Sequence, residues 1–72
     1  MRTFDLFARA QDELLERLIA GEIPARRLPA AHRSHVARLV NAGLSQHEAT
    51  AAFWDCVHTA RATARLERSA AA

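Results

Sequence analysis

Residues 41–54 read NAGLSQHEATAAFW, a pattern typical of one helix ending and the next beginning with almost no loop between them. Gly43 has no Cβ and can adopt the left-handed conformation that ends a helix. Leu44 is then placed for the hydrophobic contact with the preceding helix that completes a Schellman cap. Ser45 and Glu48 have the S-x-x-E spacing of a capping box, which satisfies backbone donors at a helix N-terminus. The stretch therefore predicts a tight junction between two helices.

Apolar residues recur at steps of three and four on both sides of this junction. We expect one helical domain over residues 1–72, with helices over about 4–20, 29–42 and 46–67, a connector over 21–28 and a frayed tail over 69–72. The fold class is all-α, a small three-helix bundle. A chain this short buries only about 60% of its unfolded surface. Self-association can therefore complete its core.

The expected core is the apolar side of each helix. In helix one it comprises Phe4, Phe7, Leu14 and Leu18, flanked by Ala8, Leu15 and Ile19. In helix two it comprises Val36, Leu39 and Val40, completed by Ala31 or His32. In helix three it comprises Ala49, Ala52, Phe53, Cys56, Val57, Ala60 and Ala64. Gln11 interrupts the apolar seam of helix one.

The charge of the chain is unevenly distributed. The net charge is +2, all ten basic residues are arginine, and seventeen residues are alanine. Residues 1–24 carry five acidic residues and three arginines, whereas residues 25–72 carry seven arginines and three acidic residues. A GC-rich coding bias is one explanation of this composition, and selection for bidentate contacts to phosphate or carboxylate is the other. The asymmetry predicts either a basic binding surface or attraction between two copies or two helices.

Three features of the sequence bear on localisation. Cys56 is the single cysteine, so no intramolecular disulfide can form, which fits a reducing compartment. Asp5 and Asp12 interrupt the N-terminal apolar stretch, which is therefore not a signal peptide. No apolar run approaches the ~20 residues that span a bilayer. We expect a cytoplasmic protein without a membrane partner.

The first candidate site is a stripe on helix three. Its members follow at steps of four, three, four and three residues, which places them on one helix face: Trp54, His58, Arg61, Arg65 and Arg68. An aromatic ring beside three guanidinium groups is suited to an acidic partner or a phosphate backbone. The alternative is that Trp54 packs at the core edge and the arginines form a solvated face near the helix C-terminus.

The second candidate site is the segment between Ile23 and His47, which contains no acidic residue. Its four arginines are Arg26, Arg27, Arg33 and Arg38. They predict a nucleic-acid-binding surface, although no lysine, glycine or aromatic residue is interleaved with them to strengthen that interpretation. The same segment is also suited to docking on the acidic outer face of helix one from another copy.

The sequence does not provide the groups for catalysis or metal binding. His32 and His35 have i,i+3 spacing, but a closed zinc site needs four converging ligands. Cys56 and His58 are two residues apart and point to different faces of a helix. There is no glycine-rich phosphate loop, and the combination of nucleophile, base and oxyanion donors cannot be assembled. We predict no catalytic residue, no metal and no cofactor.

These observations favour a small non-enzymatic regulatory or adaptor protein. It would act by protein–protein interaction through its helix faces, and a homodimer is one form of that interaction. The alternative is a DNA-binding regulatory protein that uses its arginine-rich surface.

Overall fold

The computed structural model describes residues 3–71, and it describes side-chain burial for residues 3–70. The prediction of an all-α three-helix bundle is confirmed, and no strand occurs within the described residues. The helices are α1 (Thr3–Ile19), α2 (Leu28–Asn41) and α3 (Gln46–Ala71), and a short 3-10 turn, Ala25–Arg27, precedes α2.

The structure differs from the sequence prediction at the ends of the elements. α3 continues to Ala71, although the chain was expected to fray from Ser69. No glycine or proline interrupts this segment, and its alanines favour the helix intrinsically. The last residue of the predicted tail, Ala72, lies outside the described residues. The predicted connector is also partly ordered by the turn at Ala25–Arg27, so that α2 begins at Leu28.

The predicted junction between α2 and α3 is confirmed. Gly43 has a φ of 112°, and the backbone N–H of Leu44 donates to the carbonyl of Leu39 at 3.0 Å. Leu44 packs against the cluster that contains Leu39, as a Schellman cap requires. The backbone N–H of Ser45 donates to Glu48 Oε1 at 2.9 Å, and the N–H of Glu48 donates to Ser45 Oγ at 3.1 Å. These two bonds form the capping box, and hydrogen bonding from Ser45, above all from its backbone N–H, lowers the pKa of the Glu48 carboxyl.

α1 ends with the same kind of cap. Gly21 has a φ of 76°, and its N–H donates to the carbonyl of Leu18 at 3.1 Å. The N–H of Glu22 donates to the carbonyl of Arg17 at 3.0 Å. Here an ion pair of 3.7 Å between Arg17 and Glu22 takes the place of the usual hydrophobic contact.

α1 and α3 run in the same direction, and α2 runs antiparallel to both. At one end of the bundle, a Cβ on Gly43 would lie 3.4 Å from Thr3 Oγ1. Further along, the Gln11 side chain donates to the carbonyl of Ala52 at 3.1 Å, and Cys56 Sγ donates to the carbonyl of Gln11 at 3.6 Å. Residue numbers in α1 and α3 therefore increase in the same direction, away from the α2–α3 junction.

The core contains two adjoining hydrophobic clusters. The first joins all three helices, with buried Ala10, Val36, Leu39, Ala49 and Ala52 packed by Phe7 and Leu44. The second joins α1 to α3, with buried Leu14, Phe53, Cys56 and Val57 packed by Leu15, Leu18, Ile23, Leu28 and Ala31. Phe53 and Leu39 are the largest fully buried side chains among the described residues.

Three residues predicted for the core are exposed. Phe4 is 75% exposed, Ile19 44% and Val40 40%. At 100° per residue, Phe4 and Ile19 lie about 80° and 140° around α1 from buried Leu14. Ile19 therefore lies on the far side of α1 from Leu14, and Phe4 is displaced from Leu14 in the first turn of the helix. Val40 is about 100° from Leu39 on α2 and is displaced from the core in the same way.

The core also contains residues that the apolar pattern missed. Ala10 is buried, and so is His35, whose exposed fraction is 6%. Gln11 does not break the seam of α1, because its side chain is hydrogen-bonded between α2 and α3. Ala64, predicted for the core, is only half-buried near the end of the packed part of α3.

Candidate functional site

The C-terminal end of α3 projects beyond the rest of the bundle. α3 has 26 residues, whereas α1 has 17 and α2 has 14. The last buried residue of α3 is Ala60, and residues 65–70 are all exposed. Leu66 is 72% exposed in this segment. We call residues 65–71 the overhang of α3.

The stripe predicted on α3 lies on the surface as one face. Its five residues are all exposed, and we refer to them as the α3 basic face: Trp54, His58, Arg61, Arg65 and Arg68. The last four line a shared shallow concavity together with Ala64. Among the described residues, the ion pairs are Arg17–Glu22 and Arg38–Glu13. The arginines of the α3 basic face therefore have no carboxylate partner within residues 3–70.

Trp54 is both part of the packing and part of the surface. Its ring packs edge-on against Phe53, with centroids 5.1 Å apart, and lies 6.1 Å from the ring of His32 on α2. The side chain nevertheless remains 41% exposed. Because one side of the ring is already fixed by Phe53 and His32, Trp54 would lose little rotamer freedom if a partner bound its exposed side. Trp54 thus presents a preorganised, partly exposed aromatic ring at one end of the α3 basic face.

The four arginines of the second candidate site are exposed but do not share one orientation. Arg26 and Arg27 belong to the 3-10 turn, whereas Arg33 and Arg38 belong to α2. Five residues of α-helix turn the chain by about 500°, so Arg33 and Arg38 point about 140° apart. Arg38 Nη1 also donates to Glu13 Oε2 at 2.6 Å. This bond lowers the pKa of the Glu13 carboxyl, and it pairs the positive charge of Arg38 with a carboxylate of the same chain.

A groove of about 300 Å³ lies between α1 and α2, and no sequence motif predicted it. Small and apolar residues form part of its lining, including Ala10, Leu14 and Ala31. Its polar lining includes charged residues of both signs: Glu13, Arg17, Glu22, Arg27 and Arg38, together with Ser34 and His35. Arg38–Glu13 and Arg17–Glu22 are ion-paired within it. The groove therefore presents charges that are largely matched by the chain itself.

The outer side of α1 forms a surface of opposite sign to that of α3. Asp5, Asp12 and Glu16 are exposed and lie within about 40° of one another around the helix. They line a shallow concavity with Ala8, Arg9 and Glu13. We call Asp5, Asp12 and Glu16 the α1 acidic face.

The nucleophilic and metal-ligating side chains are dispersed. Cys56 is a free, buried thiol, and burial raises its pKa. The ring of His32 packs against Phe53 at 4.9 Å, whereas His35 is hydrogen-bonded to Gln11. No three His, Cys, Asp or Glu side chains converge to hold a metal ion in the described part of the chain.

Comparisons of the chain with protein-family models, curated proteins and solved structures gave no match. Within residues 3–71, no helix is long and apolar enough to cross a membrane.

Proposed function

We propose that this protein is a small non-enzymatic regulatory or adaptor module that binds an acidic surface of a protein partner through its α3 basic face. One observation carries the proposal. An exposed, preorganised Trp54 and three arginines without carboxylate partners lie on the same face of the longest helix. Tryptophan and arginine are the commonest anchors of protein interfaces. A reducing, cytoplasmic setting suits the free thiol of Cys56 and forms part of the proposal.

The chemistry of this face favours carboxylate recognition. A guanidinium group donates two parallel hydrogen bonds to one carboxylate, which gives direction as well as attraction. The overhang leaves Arg65 and Arg68 clear of α1 and α2, so a partner helix has room beside them. Exposed charge pairs alone contribute little free energy. The partly exposed ring of Trp54 supplies the apolar contact that such an interface needs.

Duplex DNA is the alternative ligand for an arginine-rich surface. The arrangement supports it less well, because Arg26, Arg27, Arg33 and Arg38 diverge and Arg38 is paired with Glu13. DNA binding through those four residues is therefore the second hypothesis.

The test is a titration that follows the fluorescence of Trp54. The probe is a synthetic helical peptide with glutamates along one face, and the control peptide has glutamine in their place. We expect saturable binding of the first peptide only. The double variant Arg61→Glu, Arg65→Glu should weaken binding by about tenfold or more, since each tenfold corresponds to about 1.4 kcal/mol.

Arg26→Glu, Arg33→Glu is the matched control for charge reversal, because both residues are exposed and lie off the α3 basic face. It should retain binding of the acidic peptide. A parallel titration with generic duplex DNA at low and near-physiological salt tests the alternative. Steeply salt-dependent DNA binding that Arg26→Glu, Arg33→Glu abolishes, with no binding of the acidic peptide, would replace the proposal with the DNA hypothesis.

A further inference from the structure

The α1 acidic face and the α3 basic face have the same spacing. On α1, Asp5 and Asp12 are seven residues apart, and on α3, Arg61 and Arg68 are also seven apart. Seven residues rise about 10.5 Å along a helix and return to nearly the same side. Two carboxylates on one helix therefore match two guanidinium groups on the other in both distance and direction.

The match extends to an apolar pair. One further step of seven leads from Asp12 to Ile19 on α1, and one step back leads from Arg61 to Trp54 on α3. Ile19 is 44% exposed and Trp54 is 41% exposed, so each offers apolar surface without a partner in the bundle. An antiparallel alignment of the two helices pairs the apolar residues with each other and each carboxylate with a guanidinium group: Ile19–Trp54, Asp12–Arg61 and Asp5–Arg68. A parallel alignment instead places an arginine on isoleucine and a carboxylate on tryptophan.

These two faces cannot meet within one chain. The α1 acidic face points away from the bundle, opposite buried Leu14. The α3 basic face lies on the side of α3 next to α2, because Trp54 contacts His32 there, whereas α1 contacts α3 at Ala52. The faces therefore belong to different sides of the molecule, and the α1 acidic face is available to another chain.

We propose that a second copy of this chain is an acidic partner of the α3 basic face, with its α1 docked antiparallel through Asp5, Asp12 and Ile19. The inference rests on the proposed function and names the partner. Because the two faces lie on different sides, each copy uses one face toward each neighbour. Such a head-to-tail contact extends into a ring or an open chain, in contrast to a two-fold dimer. Two of the three aligned pairs join opposite charges at exposed positions, so salt weakens the contact.

Two charge-reversal variants, measured separately and then mixed, test this contact. The mass of the full chain in solution is measured by analytical ultracentrifugation over a range of protein concentrations at low salt. The wild-type mass should rise with concentration, whereas Asp12→Arg and Arg61→Asp should each remain monomeric, because each places like charges in contact. An equimolar mixture of the two variants should associate again, because both contacts in the mixture join opposite charges.

A cross-linking experiment tests the antiparallel register. In a Cys56→Ala background, Asp12→Cys in one chain should form a disulfide with Arg61→Cys in another. The mismatched control is Asp12→Cys with Arg68→Cys. Residue 68 lies about 10.5 Å along α3 from residue 61, so this pair should not form the disulfide. Circular dichroism verifies that each variant is helical, and Asp5→Arg with Arg68→Asp is the replacement pair if one fails to fold.

A wild-type chain that stays monomeric at every concentration, or a mixture that fails to associate, would overturn the inference. The acidic-peptide titration separates this failure from that of the proposed function. If the peptide still binds the α3 basic face, the partner is a different protein. If neither the peptide nor a second copy binds, both proposals are wrong.

Discussion

His35 Nε2 donates a hydrogen bond of 2.6 Å to Gln11 Oε1 between α2 and α1. The amide nitrogen of Gln11 donates to the carbonyl of Ala52 on α3 at 3.1 Å. This second bond fixes the orientation of the amide, so its oxygen faces the imidazole and His35 must carry the proton on Nε2. One side chain thus connects the three helices through polar groups inside an otherwise apolar seam.

Replacing this amide should destabilise the bundle. Gln11→Leu removes the acceptor of His35 and the donor to Ala52 but keeps an apolar side chain of similar size. Leaving a buried polar group without a partner costs about 1–3 kcal/mol. Urea denaturation should report a loss of this size, whereas Gln46→Leu on the surface should change the unfolding free energy by only about 0.5 kcal/mol. Equal effects of the two variants would mean that the hydrogen bonds of Gln11 add no stability.

The same histidine should make stability depend on pH. Burial, followed by the nearby charges of Arg38 and His32, lowers the pKa of His35 from its ordinary value of 6.5. The unfolded chain therefore binds a proton more readily than the folded one. The contribution of neutral His35 to stability is therefore fully present above pH 6.5. It is lost as the pH falls from 6.5 toward the pKa of His35 in the folded chain, and the loss levels off below that pKa.

Urea denaturation between about pH 7.5 and about pH 5 checks this dependence, because that range extends to both sides of the ordinary histidine pKa of about 6.5. We expect the unfolding free energy of the wild type to fall across this range. His35→Gln, which can still donate to Gln11, should flatten the fall, and the exposed His58→Gln should not. A wild-type slope that persists in His35→Gln would assign the effect to another group.

Interactions between residues close together in the chain could be predicted from the sequence, whereas those between distant residues could not. The α2–α3 junction could be predicted, because Gly43, Ser45 and Glu48 act through bonds to residues nearby in the chain. Gln11 looked like an interruption, because its partners lie 24 and 41 residues away. A periodic pattern records which side of a helix is apolar and carries no information about polar groups that meet across helices.

The same limit applies to the surfaces. Steps of three and four placed the members of the α3 basic face together, because one helix carries them all. The pairing of Arg38 with Glu13 could not be read from the sequence, since it depends on how α1 packs beside α2. The helix period itself places Arg33 and Arg38 about 140° apart, so the four arginines predicted as one nucleic-acid surface are divided between different orientations.

Trp54 and its neighbour Phe53 should respond differently to truncation. Phe53 is fully buried, and Phe53→Ala should cost about 3–5 kcal/mol through the cavity it leaves. Trp54→Ala removes a partly exposed ring with edge-on packing, and we expect a smaller loss of about 2 kcal/mol from its partial burial and aromatic contact. Circular dichroism should show unchanged helicity for Trp54→Ala. Binding of the acidic peptide, followed by calorimetry, should be weakened, and a loss of folding in this variant would mean that Trp54 is a core residue.

His32 should behave in the opposite way to His35. Its Nε2 is buried and has no hydrogen-bond partner among the described residues, while its ring packs edge-on against Phe53 at 4.9 Å. His32→Phe keeps the aromatic contact and removes the unsatisfied nitrogen, so we expect a gain of about 1 kcal/mol in urea denaturation. His35→Phe, which leaves Gln11 Oε1 without its donor, should instead cost about 1–3 kcal/mol. Because His32 also supports the ring of Trp54, His32→Phe should retain peptide binding. Destabilisation by His32→Phe would show that the imidazole nitrogen, and not the aromatic packing, is what α2 contributes beneath Trp54.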